Sequence, residues 1–421
     1  MVKAILSLVI LLVVVVLMLI DKVKIPATTL ALTAAVLCCA LGMSSFSDIL
    51  KNIGSSTAVL IISLSILGAA LFHSGLAKKI ASGILKVTGR SEKGVILGIL
   101  LASILLSAIS SNTAVVLMMI PLVKCISQEL NISLKRTMFP LAIGAGLGGG
   151  CTLIGGTSNV SGNQILIDAG LPSMGFWTLG AVGIPVAVIS VILIILLRNK
   201  LMPKDEGGYE GEEMDMSVME SSGDKRRMIV TGVITVLAVI AMMISTSALF
   251  VVALVGALLV IITGCVSEKE AFAAVDIKLL ILIASFGVIS ESISNTGGDK
   301  LIADAFIKVI GTNASPVVIC AALFFVTALL TQFLSNIVAI MMMGPIAINI
   351  AGVLGVNPFA MVMTVIIAGN ACFATPFGSP YLTIMMPTAG YKFKDFVRMG
   401  LPFVIIYWIA SVLIIPVVWP F

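Results

Sequence analysis

Ser111, Asn112 and Thr113 interrupt one apolar run of this chain, and Ser335, Asn336 and Ile337 interrupt another that reads almost the same. Each interruption leads into an apolar stretch ending at a proline, Pro121 in one case and Pro345 in the other. Asn112 and Asn336 are 224 positions apart, and so are the two prolines. Hydroxyl and carboxamide oxygens at a helix start are capable of two kinds of chemistry. They ligate hard cations, and the free N–H groups beside them hold anions at the positive end of the helix dipole. Serine and asparagine are also ordinary N-caps. One motif alone would carry little weight; its recurrence favours a function.

A second pair of polar breaks follows, at 144–157 and 369–381. In the first, Gly148, Gly149 and Gly150 stand together, and each glycine costs a helix interior about 1 kcal/mol relative to alanine. Unwound backbone would offer carbonyl oxygens suited to Na⁺, with Thr152, Thr157, Ser158 and Asn159 adding side-chain oxygens. In the second, Asn370, Thr375, Ser379 and Tyr381 do the same, and Pro376 and Pro380 each remove a helix donor. Thr152 and Thr375 are 223 apart, in near register with the asparagines. Close helix packing is the competing use of glycine. Three in a row beside Thr and Asn are read here as unwinding.

The elements that position these groups are set by composition. A hydrophobic fraction of 59%, with 11% charged residues, lies far outside soluble domains. Apolar stretches such as Ile5–Ile20, Ile229–Ile244 and Phe403–Trp419 recur along the chain; at ~20 residues per span there is room for about 11 transmembrane helices. The run from Ala4 lacks a small-residue cleavage site before Asp21 and reads as the first such helix, not a signal peptide. A chain that enters the membrane, turns at Ser-Asn and leaves again is a re-entrant hairpin. Its tip must be buried in protein or face water, since lipid cannot satisfy the turn.

Residues 198–227 are rich in glycine and acidic side chains and read as a linker. The chain therefore divides into a first helix and loop (1–26), an N-terminal membrane repeat (27–197), the linker, and a C-terminal membrane repeat (228–421). After one span in each half comes an amphipathic stretch. The first carries Lys78, Lys79, Lys86, Arg90 and Lys93 against Glu92; its counterpart to Gly311 balances Lys300 and Lys308 with Asp299 and Asp304. Basic flanks favour the cytoplasm, so the halves are expected to face opposite ways. The N-terminus and the linker are both expected on the cytoplasmic side of the cell membrane. The fold expected is an all-α polytopic membrane protein: an inverted repeat with two re-entrant hairpins and two broken helices. Broken helices meeting near the midplane point to a secondary transporter.

Other classes are disfavoured. The net charge of +5 is spread over loops without interleaved aromatics, so no nucleic-acid partner is indicated. Seven cysteines without CxxC spacing and a single histidine, His73, assemble no metal site of the zinc kind. No nucleophile, base or metal set stands at the polar breaks, so an enzyme is not expected. Opposed hairpins favour alternating access over a channel. No Asp or Glu lies deep in a span near the breaks, Glu291 standing near a span end and Asp168 in a loop-like stretch. That favours Na⁺ over H⁺ as the driving ion.

With the paired hairpin tips, Thr152 to Thr157 after a glycine-rich break, and Thr375-Pro376-Phe377-Gly378-Ser379-Pro380, the sequence resembles the divalent anion:sodium symporters of the ion-transporter superfamily. The resemblance spans essentially the whole chain through short motifs. It implies a homodimer with scaffold and transport (elevator) domains, moving dicarboxylates such as succinate and malate, citrate, or sulfate with Na⁺ and no organic cofactor. The implied substrate contacts are Ser111, Asn112, Thr113, Thr157, Ser335, Asn336, Thr375 and Ser379. The implied Na⁺ ligands are Ser111, Asn112, Gly148, Gly150, Thr152, Ser335, Asn336 and Thr375. Ile337 departs from the family threonine and removes one hydroxyl. An anion exchanger, an arsenite permease or a Na⁺/H⁺ antiporter of the same superfamily is the alternative.

Overall fold

The computed structural model describes residues 1–19, 25–203, 208, 224–244, 249–298, 300–301, 304–305, 308 and 315–421. Helices and turns account for the described residues, and no β-strand occurs among them. The first half runs α1 (Val2–Leu19), α2 (Ala27–Ala40), the short α3 (Phe46–Ile53), α4 (Ser56–His73) and α5 (Leu76–Thr88). It continues through α6 (Glu92–Ser107), α7 (Asn112–Glu129), α8 (Leu134–Gly149), α9 (Thr157–Asp168) and α10 (Gly180–Leu201). The second half opens with α11 (Lys225–Ile244), α12 (Leu249–Ile262), the short α13 (Glu268–Ala273) and α14 (Ile277–Thr296). It closes with α15 (Pro316–Thr331), α16 (Asn336–Leu354), α17 (Pro358–Gly369), α18 (Pro380–Ala389) and α19 (Phe393–Val418). The counterpart of α5 falls largely outside the described residues, as does the linker between 204 and 223 apart from Gly208.

Local signals recur in the same order. Ser45 with Asp48 and Ser267 with Glu270 form capping boxes that start α3 and α13. Left-handed glycines stand in matching places, Gly42 (φ 65°) with Gly264 (φ 70°) and Gly75 (φ 78°) with Gly297 (φ 77°). Only glycine adopts that backbone freely, so the two halves repeat even their turn chemistry. Six helices are long and apolar enough to cross a membrane, and shorter apolar helices such as α2, α12, α15 and α17 accompany them. Leu196, Ile229 and Leu413 are among many large apolar side chains turned outward. A belt of this kind suits lipid, since water would penalise it by roughly 25 cal/mol per Å².

The halves run in opposite directions. His73 ends α4, and its Nδ1 lies 3.3 Å from the Oε1 of Glu270, just before α14 begins. At the other end, Ser44, which precedes α3 and α4, meets Ser292 in the last turns of α14 at 2.5 Å. Equivalent helices α4 and α14 are therefore antiparallel. They also exchange partners: α2 packs along α14, and α12 along α4.

Within the bundle the N-terminus and the linker flanks lie at opposite ends. Lys3 Nζ donates to Gly42 O (3.1 Å), and Ser7 bonds Thr296 at the end of α14 (3.0 Å). The linker flanks lie at the opposite end, where Cys265 reaches Arg227 O and Arg398 donates to Lys200 O (2.8 Å). The physical reason is that α1 is the counterpart of α11, so inversion places their starts on opposite faces. At the linker end Arg136, 5% exposed, donates to Glu92 (2.6 Å), Asn199 (2.8 Å) and Pro203 O (3.2 Å). It ties the starts of α6 and α8 to the end of α10.

Candidate substrate and ion site

Residues 108–111 and 332–335 turn the chain between α6 and α7 and between α15 and α16, forming the two hairpin tips. Pro121 and Pro345 lie inside the returning arms, well past the tips. Both tips meet at a cavity of about 680 Å³ whose other walls are α4 and the start of α14. Besides the starts of α2 and α14, four helix N-termini at the tips and breaks line it: α7 at Asn112, α9 at Thr157, α16 at Asn336 and α18 at Pro380. Elsewhere Ser91, Ser315 and Asn357 cap their helices through side chains. At the cavity Ser335 does so, accepting from Val338 N, and so does Asp276 at the start of α14, accepting from Leu279 N; Ser111, Gly156 and Ser379 leave α7, α9 and α18 without a side-chain cap. Backbone donors at those ends are thus left for a ligand. The charged lining residues, Asp276 and Lys278 with His73, lie at the mouth beside the end of α4. Toward the tips the described lining is neutral, so positive potential there comes from helix ends.

Ser111, Asn112, Thr113, Thr157, Ser335, Asn336 and Ser379 all line the cavity. Ile337 lines it too, though it is only 7% exposed. Thr152, Thr375, Gly148 and Gly150 do not line it. Thr152 donates to Ala108 O (2.5 Å) and accepts from Gly155 N (3.0 Å), while Thr375 donates to Gln332 O. Each threonine therefore fastens a break to a hairpin tip. Gly148 and Gly149 lie inside α8 and act by close approach, while the backbone is unwound from Gly150 to Gly156. A Cβ on Gly148 would strike the backbone of Ile104, one on Gly149 the amide of Asn112, and one on Gly150 the hydroxyl of Tyr407.

Several site residues were not singled out from sequence. Ser107 lies 2.5 Å from Oδ1 of Asn112, and Thr331 donates to Oδ1 of Asn336 at 2.8 Å. Each hydroxyl stands five residues before its asparagine, a recurrence that would have flagged them. The edge of the Asn112 amide nearest Ser107 also faces Gly155 O (3.0 Å) and Ala145 O (3.2 Å). With its nitrogen on that edge the amide donates to both carbonyls; with its oxygen there, the group is a cluster of oxygens. Asn159 donates to Gly149 O (2.8 Å) and Thr152 O (3.0 Å), and accepts from Asn370 at 2.7 Å. That last bond joins the two breaks across the molecular centre, and both side chains are buried.

Comparison with known proteins fits this architecture. The family model described as a citrate transporter (CitMHS) matches residues 14–365, with a second, overlapping match at 239–420. The chain belongs to that family. It is related to the divalent anion:sodium symporters that the motifs resemble. An uncharacterized transporter of Haemophilus influenzae is 26% identical over 396 residues, covering 89% of this chain and 83% of that one. Transporter YfbS of Escherichia coli is 32% identical over 171 residues, a stretch that is 41% of this chain and 28% of that protein. The chain thus spans under a third of the length of that relative. Sodium/sulfate cotransporter 1 of Chlamydomonas reinhardtii is 29% identical over 157 residues, 36% of this chain and 17% of that protein. The YdaH transporter of Alcanivorax borkumensis shares the fold at a TM-score of 0.66, with 15% identity and 89% of each chain covered. The family is one of transporters, and the apolar helices of the chain accord with a multi-pass membrane protein.

Proposed function

We propose that this transporter moves small polycarboxylates, citrate foremost, by Na⁺-coupled symport. The observation that carries the reading is the convergence of four helix N-termini, three without side-chain caps, on a cavity whose depth is neutral. Several backbone donors in one place suit a ligand with several carboxylates, and helix ends favour the anionic form. The cavity volume falls in the range of about 300–1,000 Å³ usual for small-molecule sites. Asn112, Thr113, Thr157, Asn336 and Ser379 are the side chains placed to contact the anion. Na⁺ is preferred to H⁺ because the deep lining has no carboxylate to carry a proton. The sodium/sulfate cotransporter among the relatives points the same way.

The oxygen cluster of Ser107, Asn112, Ala145 and Gly155 fits a hard cation, whose charge would complement the anion beside it. The proposed moving body comprises α6–α10 with α15–α19, travelling against a framework of α1–α4 with α11–α14, in the elevator manner. Two copies of the chain, each with its halves joined through residues 198–227, would assemble as a homodimer through the framework. The cavity mouth lies at the end of α4, which leads into the lysine-rich α5, so the mouth is assigned to the cytoplasmic side.

Uptake of labelled citrate, succinate and sulfate into proteoliposomes, with and without an inward Na⁺ gradient, tests the proposal. Citrate accumulation that requires the gradient is expected. Gradient-independent flux that needs an internal counter-anion would reassign the protein as an exchanger. Uptake of sulfate in preference to both carboxylates would overturn the substrate class.

A further inference from the structure

The cavity has two walls of unequal polarity, although both belong to one repeat. At three repeat-related positions the first half carries a hydroxyl and the second carries hydrocarbon: Ser110 against Leu334, Thr113 against Ile337, and Thr157 against Pro380. The first two pairs are 224 positions apart and the third 223, the spacings of the asparagines and of Thr152 with Thr375. Ser110, Thr113, Thr157, Ile337 and Pro380 line the cavity, and Leu334 is buried. Ser379, which stands where the first half has Gly156, spends its hydroxyl on Asn336 Oδ1 (3.3 Å). Leu279 and Leu282 of α14 extend the apolar side.

Ser110 is the unsatisfied group on the polar side. It lines the cavity at 6% exposed, and its buried Oγ has no hydrogen-bond partner among the described residues. It lies against Gly68 of α4, where a Cβ would stand 3.1 Å from Oγ. Burying a hydroxyl without a partner costs stability, which an arriving ligand would recover. The uncapped ends of α7, α9 and α18 offer N–H groups, which donate to carboxylates and cannot accept. An alcohol on the ligand needs an acceptor for its proton, and a serine hydroxyl both accepts and donates. Serine has a single side-chain torsion with staggered positions, so the hydroxyl can leave Gly68 for a ligand.

We propose that Ser110 reads the alcohol group of a hydroxy-polycarboxylate, and that the anion lies in one orientation. Its alcohol faces the first tip, and its methylene carbons face Ile337, Leu279 and Leu282. The carboxylates take the helix ends. Ser110 thereby selects hydroxylated polycarboxylates over those with hydrogen in place of the alcohol. The inference rests on the polycarboxylate reading above and adds which group of the anion is recognised, and by which side chain.

The test is displacement of labelled citrate from the purified full-length protein in detergent, with NaCl present. The competitors are unlabelled citrate and tricarballylate, which keeps the carboxylates of citrate and lacks its alcohol. Tricarballylate should bind about 10-fold more weakly. Ser110→Ala should weaken citrate by about the same factor and leave tricarballylate unchanged, closing the gap between them. Ser110→Thr, which keeps a hydroxyl, should preserve the gap. Equal displacement by both anions in the unaltered protein would overturn the inference and leave the polycarboxylate reading standing. So would a Ser110→Ala protein that binds both more weakly by one factor, since that is the mark of a packing role. A protein that binds no citrate would overturn the polycarboxylate reading, and this inference with it.

Discussion

Asn112 and Asn336 are the residues on which both half-sites turn, because each opens a helix that ends in the cavity. Removing either carboxamide takes a partner from its neighbours: from Gly155 O and Ala145 O in one case, from Thr331 and Ser379 in the other. Asn112→Ala and Asn336→Ala should each lower citrate uptake about 10- to 100-fold, while size-exclusion chromatography shows an unchanged folded species. Uptake at the unaltered rate by both would dismiss the site. Ile337 occupies the position that Thr113 holds in the other half. Ile337→Thr should restore a hydroxyl to the first turn of α16 and raise the uptake of succinate relative to citrate; a constant ratio would remove position 337 from the contact set. The paired asparagines were legible in sequence because polar residues inside apolar runs have few reasons to exist. The bond between Asn159 and Asn370 was not, since the two residues stand 211 positions apart and only folding brings them together.

Helix packing, rather than helix breaking, explains the glycines of α8. Gly149 leaves room for the Asn112 amide, and a methyl group there would meet that amide head-on. Gly352, inside α16, has nothing within 4 Å of the equivalent point. Gly149→Ala should therefore abolish Na⁺-dependent stabilisation, whereas Gly352→Ala should stabilise the protein by about 0.5–1 kcal/mol through helix propensity. Thermal unfolding with and without NaCl reads both, and equal behaviour of the two variants would refute the close-approach account. The break itself was legible from composition. Its use was not, because a glycine run looks the same whether backbone is exposed or another helix presses against it.

The molecule as a whole is an inverted pair, and the inversion sorts its ends. A cysteine introduced at Ser217 in the linker should react with a membrane-impermeant maleimide only from the cytoplasmic side, and one introduced at Val2 only from outside. The native cysteines are all buried, which keeps the background low. Labelling of both from one side would contradict the fold. Sequence alone exposed the repeat and its inversion through the basic bias of α5. It did not reveal the pairing of α1 with α11, because α1 was set apart as a lone first helix.

The exchange of partners between the halves, α2 on α14 and α12 on α4, bears on origins. In each half one long helix, α4 or α14, is covered by a helix of the other half, so a half-length ancestor would have needed a second copy inserted upside down. Such an ancestor would have had to enter the membrane in both orientations, with little bias in its flanking charge, until fusion fixed one arrangement. The basic residues that now crowd the linker face would then be later acquisitions that lock the orientation. The same dependence survives in the present chain. Residues 1–207 and 208–421 produced as separate polypeptides should restore citrate uptake together and be degraded when made singly. A stable half made alone would argue for two independently folding units joined late.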